Sequence, residues 1–397
     1  MHGVKQSLRV CLGLVVCLPC LVHAQRRSGQ QNMGSAESAG SAHAFVGKPV
    51  SVAELKQIVT LDEKKRDSAA AKQFFRLRLT ERLSSANLTL LKAALPGARA
   101  RTALVALADA SAFLDPPADE ISGAPRPDPT EQRRILSLMV NYLAKTVPKL
   151  PNFYATRTTA HYDDTAEDPN VQVAPGDNAE PLHWGGVSSA TVVYNDGKEV
   201  ADPGPLKHKQ ANPEEMGLVT VGTFGPIQAT VIGDGVRSQM AFSRWEQGAD
   251  GQVAVFRVAV AKDKSHYQVT YRGPSQTQAK EQPVAYHGDV SVDPATGTIL
   301  RLTIEADFEP GVEVMRADIM VEYGPVDIGA MSYICPVRSV SVFQWHGKVE
   351  PRNVFAPANR LDTEITRLND VTFARYHMFR AEVRVLTGDE PSPNQKP

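Results

Sequence analysis

Residues 300–308 read Leu-Arg-Leu-Thr-Ile-Glu-Ala-Asp-Phe, with apolar and polar residues in alternation. Because successive side chains of a β-strand point to opposite faces, this stretch predicts a strand with one buried and one solvated face. The same alternation occurs at residues 267–272 and 315–323. The three stretches favour an antiparallel sheet in the C-terminal part of the chain.

Turn-forming residues separate such stretches at hairpin spacing. Asn195-Asp-Gly197, Gly248-Ala-Asp-Gly251 and Asp293-Pro-Ala-Thr-Gly297 are each expected to join two strands. About ten strands are predicted between residues 152 and 386. The apolar face of such a meander must be covered by the sheet itself or by a helix. A helix predicted over 130–147, with Thr130 as its N-cap, is the expected cover.

Upstream of residue 115 the hydrophobic period is that of an α-helix. Ser51-Val-Ala-Glu54 is a capping box that predicts a helix start, and further helices are expected over 68–83, 86–95 and about 104–114. Prolines at 116, 117, 125, 127 and 129 exclude a regular helix or a central strand there. The fold class is therefore α+β, an N-terminal helical segment followed by a large curved, half-barrel-like antiparallel sheet with a covering helix.

The N-terminus has the parts of an export signal. Lys5 and Arg9 precede an apolar run that ends at Val22-His-Ala24. This run is shorter than the roughly 20 residues that span a bilayer, so we expect cleavage near Ala24 and no transmembrane span in the mature chain. Cleavage would remove three of the four cysteines and leave Cys335, which excludes an intrachain disulfide. The expected location is the periplasm or the extracellular space.

Charge and segment composition limit the function classes. The chain has 43 Lys and Arg residues against 44 Asp and Glu residues, so no basic field points to a nucleic-acid partner. The predicted organisation is a signal peptide at 1–24, a disordered leader at 25–49, a helical segment at 50–115, a Pro-rich linker at 116–129, a helix plus antiparallel β domain at 130–386 and a disordered tail at 387–397.

Residues 290–302, Val-Ser-Val-Asp-Pro-Ala-Thr-Gly-Thr-Ile-Leu-Arg-Leu, read as a strand, an Asp-containing turn and an outgoing strand. This segment, with the export signal and the preceding helix, resembles the periplasmic carriers of lipoprotein localisation and the related sigma-factor-regulator domain. The resemblance covers about residues 130–386 and implies an incomplete barrel around a helix, with a cavity for acyl chains. Residues 244–248 and 373–380 also resemble segments of uncharacterised bacterial secreted proteins, a likeness that implies no activity.

Candidate ligand contacts follow from the predicted apolar face. A cavity enclosed by the sheet would be lined by Phe242, Phe256, Leu302, Ile304, Ile319, Phe373, Arg375, His377 and Phe379. Arg375 and His377 would share the face of Phe373 and Phe379 and meet a carboxylate or phosphate headgroup. The alternative is an edge strand whose charges discourage aggregation.

Motifs for catalysis are absent from the sequence. There is no H-E-x-x-H, no G-x-S-x-G and no P-loop, so no metal, cofactor or catalytic residue is predicted. The acidic stretch 163–168 lacks the glycine of a calcium loop and is interpreted as solvated. Gly233 and Gly235 are expected in turns, and Cys335 is expected to be a buried, inert thiol. Histidines at 161, 183, 208, 266, 287, 346 and 377 fall on separate predicted strands or loops.

Three functions remain open at this point. The leading hypothesis is an exported, non-enzymatic protein that binds a lipid or another apolar ligand in the curved sheet. The second is an interaction module of the cell envelope that uses the helical segment as a docking surface for a protein. The third is a hydrolase, which would require His161 or His377 to converge with carboxylates in one pocket.

Overall fold

The computed structural model describes residues 45–62, 66–164, 181–201, 223–249, 251–271, 280–309, 311–349 and 361–379. The predicted signal peptide, most of the predicted leader and the predicted tail lie outside these residues. The described residues belong to one compact unit that begins at Phe45. Six α-helices and a ten-stranded antiparallel sheet lie in the described part, which confirms the α+β fold class.

The helices are α1 (Val52–Asp62), α2 (Asp67–Phe75), α3 (Ser85–Ala94), α4 (Ala98–Ala110), α5 (Pro129–Thr146) and α6 (Pro226–Arg237). The strands are β1 (Lys48–Val50), β2 (Leu77–Leu79), β3 (Phe153–Asp163), β4 (His183–Asn195), β5 (Lys198–Ala201), β6 (Gln239–Gly248), β7 (Gly251–Val260), β8 (Gln268–Tyr271), β9 (Lys280–Pro283), β10 (Ala285–Val292), β11 (Ile299–Asp307), β12 (Val314–Ile328), β13 (Met331–Val349) and β14 (Leu361–Met378). The large sheet has the order β5-β4-β3-β14-β13-β12-β11-β10-β7-β6 and is not closed, because β5 and β6 are its two edges.

The predicted hairpins and the capping box are confirmed. Turns at 195–198, 248–251 and 293–298 connect β4 to β5, β6 to β7 and β10 to β11. At the start of α1, the Ser51 backbone N–H donates to Glu54 Oε2 at 2.7 Å, and the Glu54 N–H donates to Ser51 Oγ at 3.1 Å. The sequence predicts these turns and this helix start correctly because each is determined by residues within five positions of one another.

The helix predicted over 68–83 is wrong in its second half. Helix α2 ends at Phe75, and the chain then forms β2, which pairs in parallel with β1. Strand β1 lies across the boundary between the stretch predicted to be a disordered leader, 25–49, and the predicted helical segment, 50–115. The apolar spacing of Phe75 and Leu79 fits a helix, but backbone pairing with a distant strand decides between the two structures.

Two helices, α5 and α6, share one hydrophobic cluster with residues of the large sheet. Helix α5 begins after Asp128 rather than Thr130, because Asp128 Oδ1 accepts from the N–H groups of Thr130 at 2.8 Å and Glu131 at 2.9 Å. Helix α6 contains Gly233 and Gly235, which corrects their placement in turns. A Cβ at Gly235 would lie 3.0 Å from Val258 Cγ2 of β7, so glycine lets α6 approach the sheet closely.

Residues on both faces of the central strands belong to buried hydrophobic clusters. Face one carries Leu302, Ile304 and Ile319, which share a hydrophobic cluster with α5 and α6. Face two carries Met320, Val340, Val342 and Leu368, which share a cluster with Ala106 of α4. The face predicted to be solvated from the alternation at 300–308 is therefore only partly solvated: Thr303 is 4% exposed and Arg301 and Glu305 are half-buried, whereas Asp307 at the strand end is exposed.

Charged side chains fill the contact between the helical segment and face two. We call this group the charge layer; it consists of Arg82, Asp109, Arg244, Glu246, Arg257, Asp289, Arg301, Arg316, Asp318, Glu322 and Arg338. Burial acts to raise the pKa of the Asp289 carboxyl, but Arg244 and Arg257 outweigh it and hold this pKa below its usual value. Pairing therefore outweighs burial at Asp289. At Asp318, which pairs with Arg316, burial still raises the pKa of the carboxyl.

The Pro-rich stretch 116–129 lies inside the compact unit and not between two units. Ile121 forms a β-bridge with Glu246, and the Ser122 N–H donates to the Trp245 carbonyl at 3.0 Å. Arg82 of the helical segment also donates to Glu246, at 2.6 Å. The helical segment and the sheet predicted as separate parts are therefore joined by buried ion pairs.

Glu305, on face two, is expected to make the stability of the protein depend on pH. Glu305 of β11 lies directly opposite Asp318 of β12 in the strand register. The pKa of the Glu305 carboxyl is raised to about 7 because it is desolvated and lies near the Asp318 charge. His287 and Arg316 oppose this rise. The folded state therefore holds the Glu305 proton more tightly than the unfolded chain does. The resulting stability is fully present below about pH 4.5 and is lost as the pH rises through about 7.

We expect Glu305→Gln to raise the Tm more at pH 8 than at pH 5, because the amide avoids ionisation beside Asp318. Thermal unfolding of both proteins at the two pH values measures this difference. Glu309→Gln is the matched control: Glu309 is exposed and pairs with Lys262 at 2.9 Å, so its replacement should give no such gain at pH 8. Equal effects of Glu305→Gln at both pH values would contradict the prediction.

Candidate functional site

The predicted ligand residues of face one are packed core residues. Phe242, Phe256, Leu302, Ile304 and Ile319 lie in the cluster that includes α5 and α6, and each is at most 5% exposed. Phe373 lies in a second cluster, in which Phe224 contacts it with a ring-centroid distance of 5.3 Å. These six side chains contact other core residues on the face where a ligand was expected.

The other three predicted ligand residues lie at or just after a β-bulge in β14. Arg375 has a φ of 53°, and the register of β14 with β3 shifts between Ala374 and His377. The extra residue places Tyr376 in the core and His377 on the opposite face. There the rings of His377 and Phe379 lie 5.1 Å and 6.5 Å from the Tyr154 ring. The prediction that Arg375 and His377 share a face with Phe373 is therefore wrong.

The described carboxylates and histidines do not assemble a metal site. Within the described ranges, no group of three or more His, Cys, Asp or Glu side chains could hold a metal ion. In the acidic stretch 163–168, Asp164 accepts from the Thr366 N–H at 2.6 Å and burial raises its pKa to about 6; residues 165–168 lie outside the described part. Burial also raises the pKa of the Cys335 thiol to about 12, which agrees with an inert thiol.

An apolar cleft lies in the helical segment instead. It is lined by Phe45, Val46, Phe74, Phe75, Leu77, Arg78, Ala106, Leu107, Ala110 and Leu182. The cleft holds about 300 Å³ of empty space, a volume that includes open solvent at its mouth. Five of its residues also belong to or pack against the cluster on face two, so it lies on the opposite side of the sheet from the predicted site.

Local sequence explains how the cleft is formed. Ala106 and Ala110 are four residues apart on α4 and therefore lie on one helix face. Their methyl groups leave space that larger side chains would fill. Helix α2 ends at Phe75, and β2 then brings Arg78 to the rim, where it is half-buried. The resulting surface is apolar with one cation.

Sequence reasoning missed the cleft because its walls come from distant positions. Phe45 and Leu182 are 137 residues apart in the chain, and neither belongs to a recognisable motif. The sequence features that could have indicated the cleft are the four-residue spacing of Ala106 and Ala110 and the aromatic pair Phe74-Phe75. Such a pattern is common in ordinary helix packing.

Comparison with family models, curated proteins and solved structures finds no match to this chain. The resemblance to the half-barrel carriers therefore stays a prediction. Among the helices of the described ranges, none combines the length and apolar character needed to cross a bilayer.

Proposed function

We propose that the protein binds a single-chain amphiphile, with its acyl chain in the apolar cleft and its anionic headgroup at Arg78. The composition of the lining carries this proposal: nine of its ten residues are apolar and the tenth is a cation. Burial of an acyl chain contributes about 0.8 kcal/mol per CH2 group, while a guanidinium binds carboxylate or phosphate oxygens. This keeps the apolar ligand expected from the sequence and moves its site to the helical segment.

The proposed location is the periplasm or the extracellular space. The basic, apolar and small-residue order of residues 1–24 supports export. An exported protein that binds amphiphiles would act on free or membrane-derived lipid in that compartment. Binding in the cleft requires no cofactor.

A protein partner is the second candidate for the same cleft. Val46 is 42% exposed beside the half-buried Phe45 at the cleft, and an apolar side chain of an envelope protein would fit between such residues. This candidate predicts that free fatty acid does not saturate the cleft.

Laurate binding tests the proposal. Protein stripped of lipid should bind laurate with one-to-one stoichiometry, measured by calorimetry. We expect Ala110→Trp to weaken binding by at least about tenfold, equivalent to 1.4 kcal/mol, because the indole fills the cleft. Arg78→Gln should weaken binding of laurate more than binding of dodecanol, because the alcohol has no carboxylate for the guanidinium.

Ala98→Trp is the matched control, since Ala98 lies on the same helix but is exposed and outside the lining. It should keep the wild-type affinity, and thermal unfolding should show that all variants are folded. Absence of laurate binding, or equal affinity of Ala110→Trp and wild type, would refute the proposal.

A further inference from the structure

One row of face one changes from apolar to polar across the sheet. The directly paired residues of this row, from β11 to β3, are Ile304, Ile319, Ser341, Asn369 and His161. The first two lie beneath α5 and α6 in the hydrophobic cluster. The last three form a polar group with Ser188 of β4, which pairs with Thr159 and is the diagonal neighbour of His161.

The hydrogen bonds of this group have a defined direction. Asn369 Nδ2 donates to Ser341 Oγ at 3.5 Å, so its Oδ1 faces His161 Nδ1, at 2.8 Å. Because an amide oxygen only accepts, Nδ1 of His161 carries the ring proton. The other ring nitrogen, Nε2, lies 2.9 Å from Ser188 Oγ and accepts from its hydroxyl. The imidazole is therefore oriented as a base toward a serine.

We propose that Ser188, His161 and Asn369 form a nucleophile, base and positioning residue for the hydrolysis of carboxylic esters. A nucleophile and base within hydrogen-bond reach, with the base held by a third group, is the arrangement that activates a serine. An asparagine holds the base in the Cys-His-Asn proteases. Asn369 is 3% exposed, whereas Ser188 and His161 are half-buried and reachable by a substrate.

The chemistry balances with water as the second reactant. Ser188 Oγ bonds to the ester carbonyl carbon while its proton passes to His161 Nε2. The bond from this carbon to the alcohol oxygen breaks, and the alcohol leaves with that proton. Water then attacks the acyl-serine, giving its proton to His161. Cleavage of the acyl–Oγ bond releases the carboxylic acid and restores the Ser188 hydroxyl.

Arg157 is placed to stabilise the oxyanion of this reaction. It lies on the same face of β3 and is the other diagonal neighbour of Ser188, since it pairs with Ala190. Burial lowers the pKa of its guanidinium, against the effect of Glu199, and it donates no hydrogen bond to a described residue. A cation with free donors beside a nucleophile stabilises developing negative charge.

Hydrolysis of p-nitrophenyl acetate by the mature protein tests this activity. We expect turnover above the buffer rate, loss of it by about 100-fold or more in Ser188→Ala and His161→Gln, and unchanged turnover in Ser189→Ala. Ser189 is the matched control because it is the adjacent residue, is exposed and lies on the opposite face. A fluorophosphonate should label the wild type at Ser188, located by peptide mass spectrometry.

Asn369→Asp separates a positioning role from a purely structural one. A carboxylate beside Nδ1 stabilises the imidazolium formed during attack, so we expect kcat to rise by about tenfold. It also raises the pKa of the base, which moves the acidic limb of the kcat/KM profile to higher pH. The proposal is overturned if wild type is no faster than Ser188→Ala, or if no label appears at Ser188. Either result leaves the proposal for the apolar cleft unaffected, since the cleft lies on the other side of the sheet.

Discussion

Replacing Glu246 with alanine is expected to lower the free energy of unfolding by about 3–5 kcal/mol. The Glu246 carboxylate accepts from Arg82 at 2.6 Å and lies 2.8 Å from Arg244, and its side chain is 10% exposed. Its removal leaves two guanidinium groups buried with part of their pairing lost. The cost is mainly that of uncompensated buried charge.

Urea denaturation of Glu246→Ala and wild type measures this loss. Glu309→Ala is the matched control, because the pair of Glu309 with Lys262 is exposed and should contribute less than about 1 kcal/mol. Glu246→Gln should lie between the two, since its amide oxygen still accepts from one arginine. A loss below about 1 kcal/mol in Glu246→Ala would show that the charge layer does not stabilise the contact between helices and sheet.

Phe256→Ala should also destabilise the protein by about 3–5 kcal/mol, through lost burial and a residual cavity. Phe256 is fully buried and packs edge-on against Phe242 at a ring-centroid distance of 5.8 Å. Because Phe256 lies in the core and not in the apolar cleft, its replacement should leave the laurate affinity of the folded protein unchanged.

Urea denaturation and calorimetry in native buffer test the two parts of this prediction. Tyr154→Ala removes an aromatic ring that is 41% exposed and should cost less than about 1 kcal/mol. If folded Phe256→Ala protein bound laurate markedly more weakly than wild type, the result would show that the ligand binds on face one and not in the apolar cleft. A loss of stability no larger than that of Tyr154→Ala would contradict the core assignment.

The elements that the sequence predicted correctly are those determined by residues close to one another in the chain. Residues 300–308 form β11 because alternation and strand pairing agree, and the capping box of Ser51 and Glu54 forms because both partners lie within one helical turn. The hairpin at 293–298 follows from turn chemistry in the same way. Fold class could be reached from such signals.

The candidate sites depended on long-range geometry. One bulge residue, Arg375, reverses the face of His377, and no alternation pattern predicts where a bulge occurs. His161 and Asn369 are 208 positions apart and become neighbours only because β14 pairs with β3. The hydrolase hypothesis from sequence required carboxylates near His161, whereas the described partners of this side chain are an amide and a hydroxyl.

The position of β14 also determines the order in which the sheet can be assembled. This strand lies between β13 and β3, although it comes last among the described strands. On a chain that emerges N-terminus first, β3 and β4 are made early but have no place in the sheet until β14 arrives. During that interval β13 is an open edge, and His161 lacks its hydrogen bond to Asn369. All the other described strands would therefore be synthesised before these groups can meet.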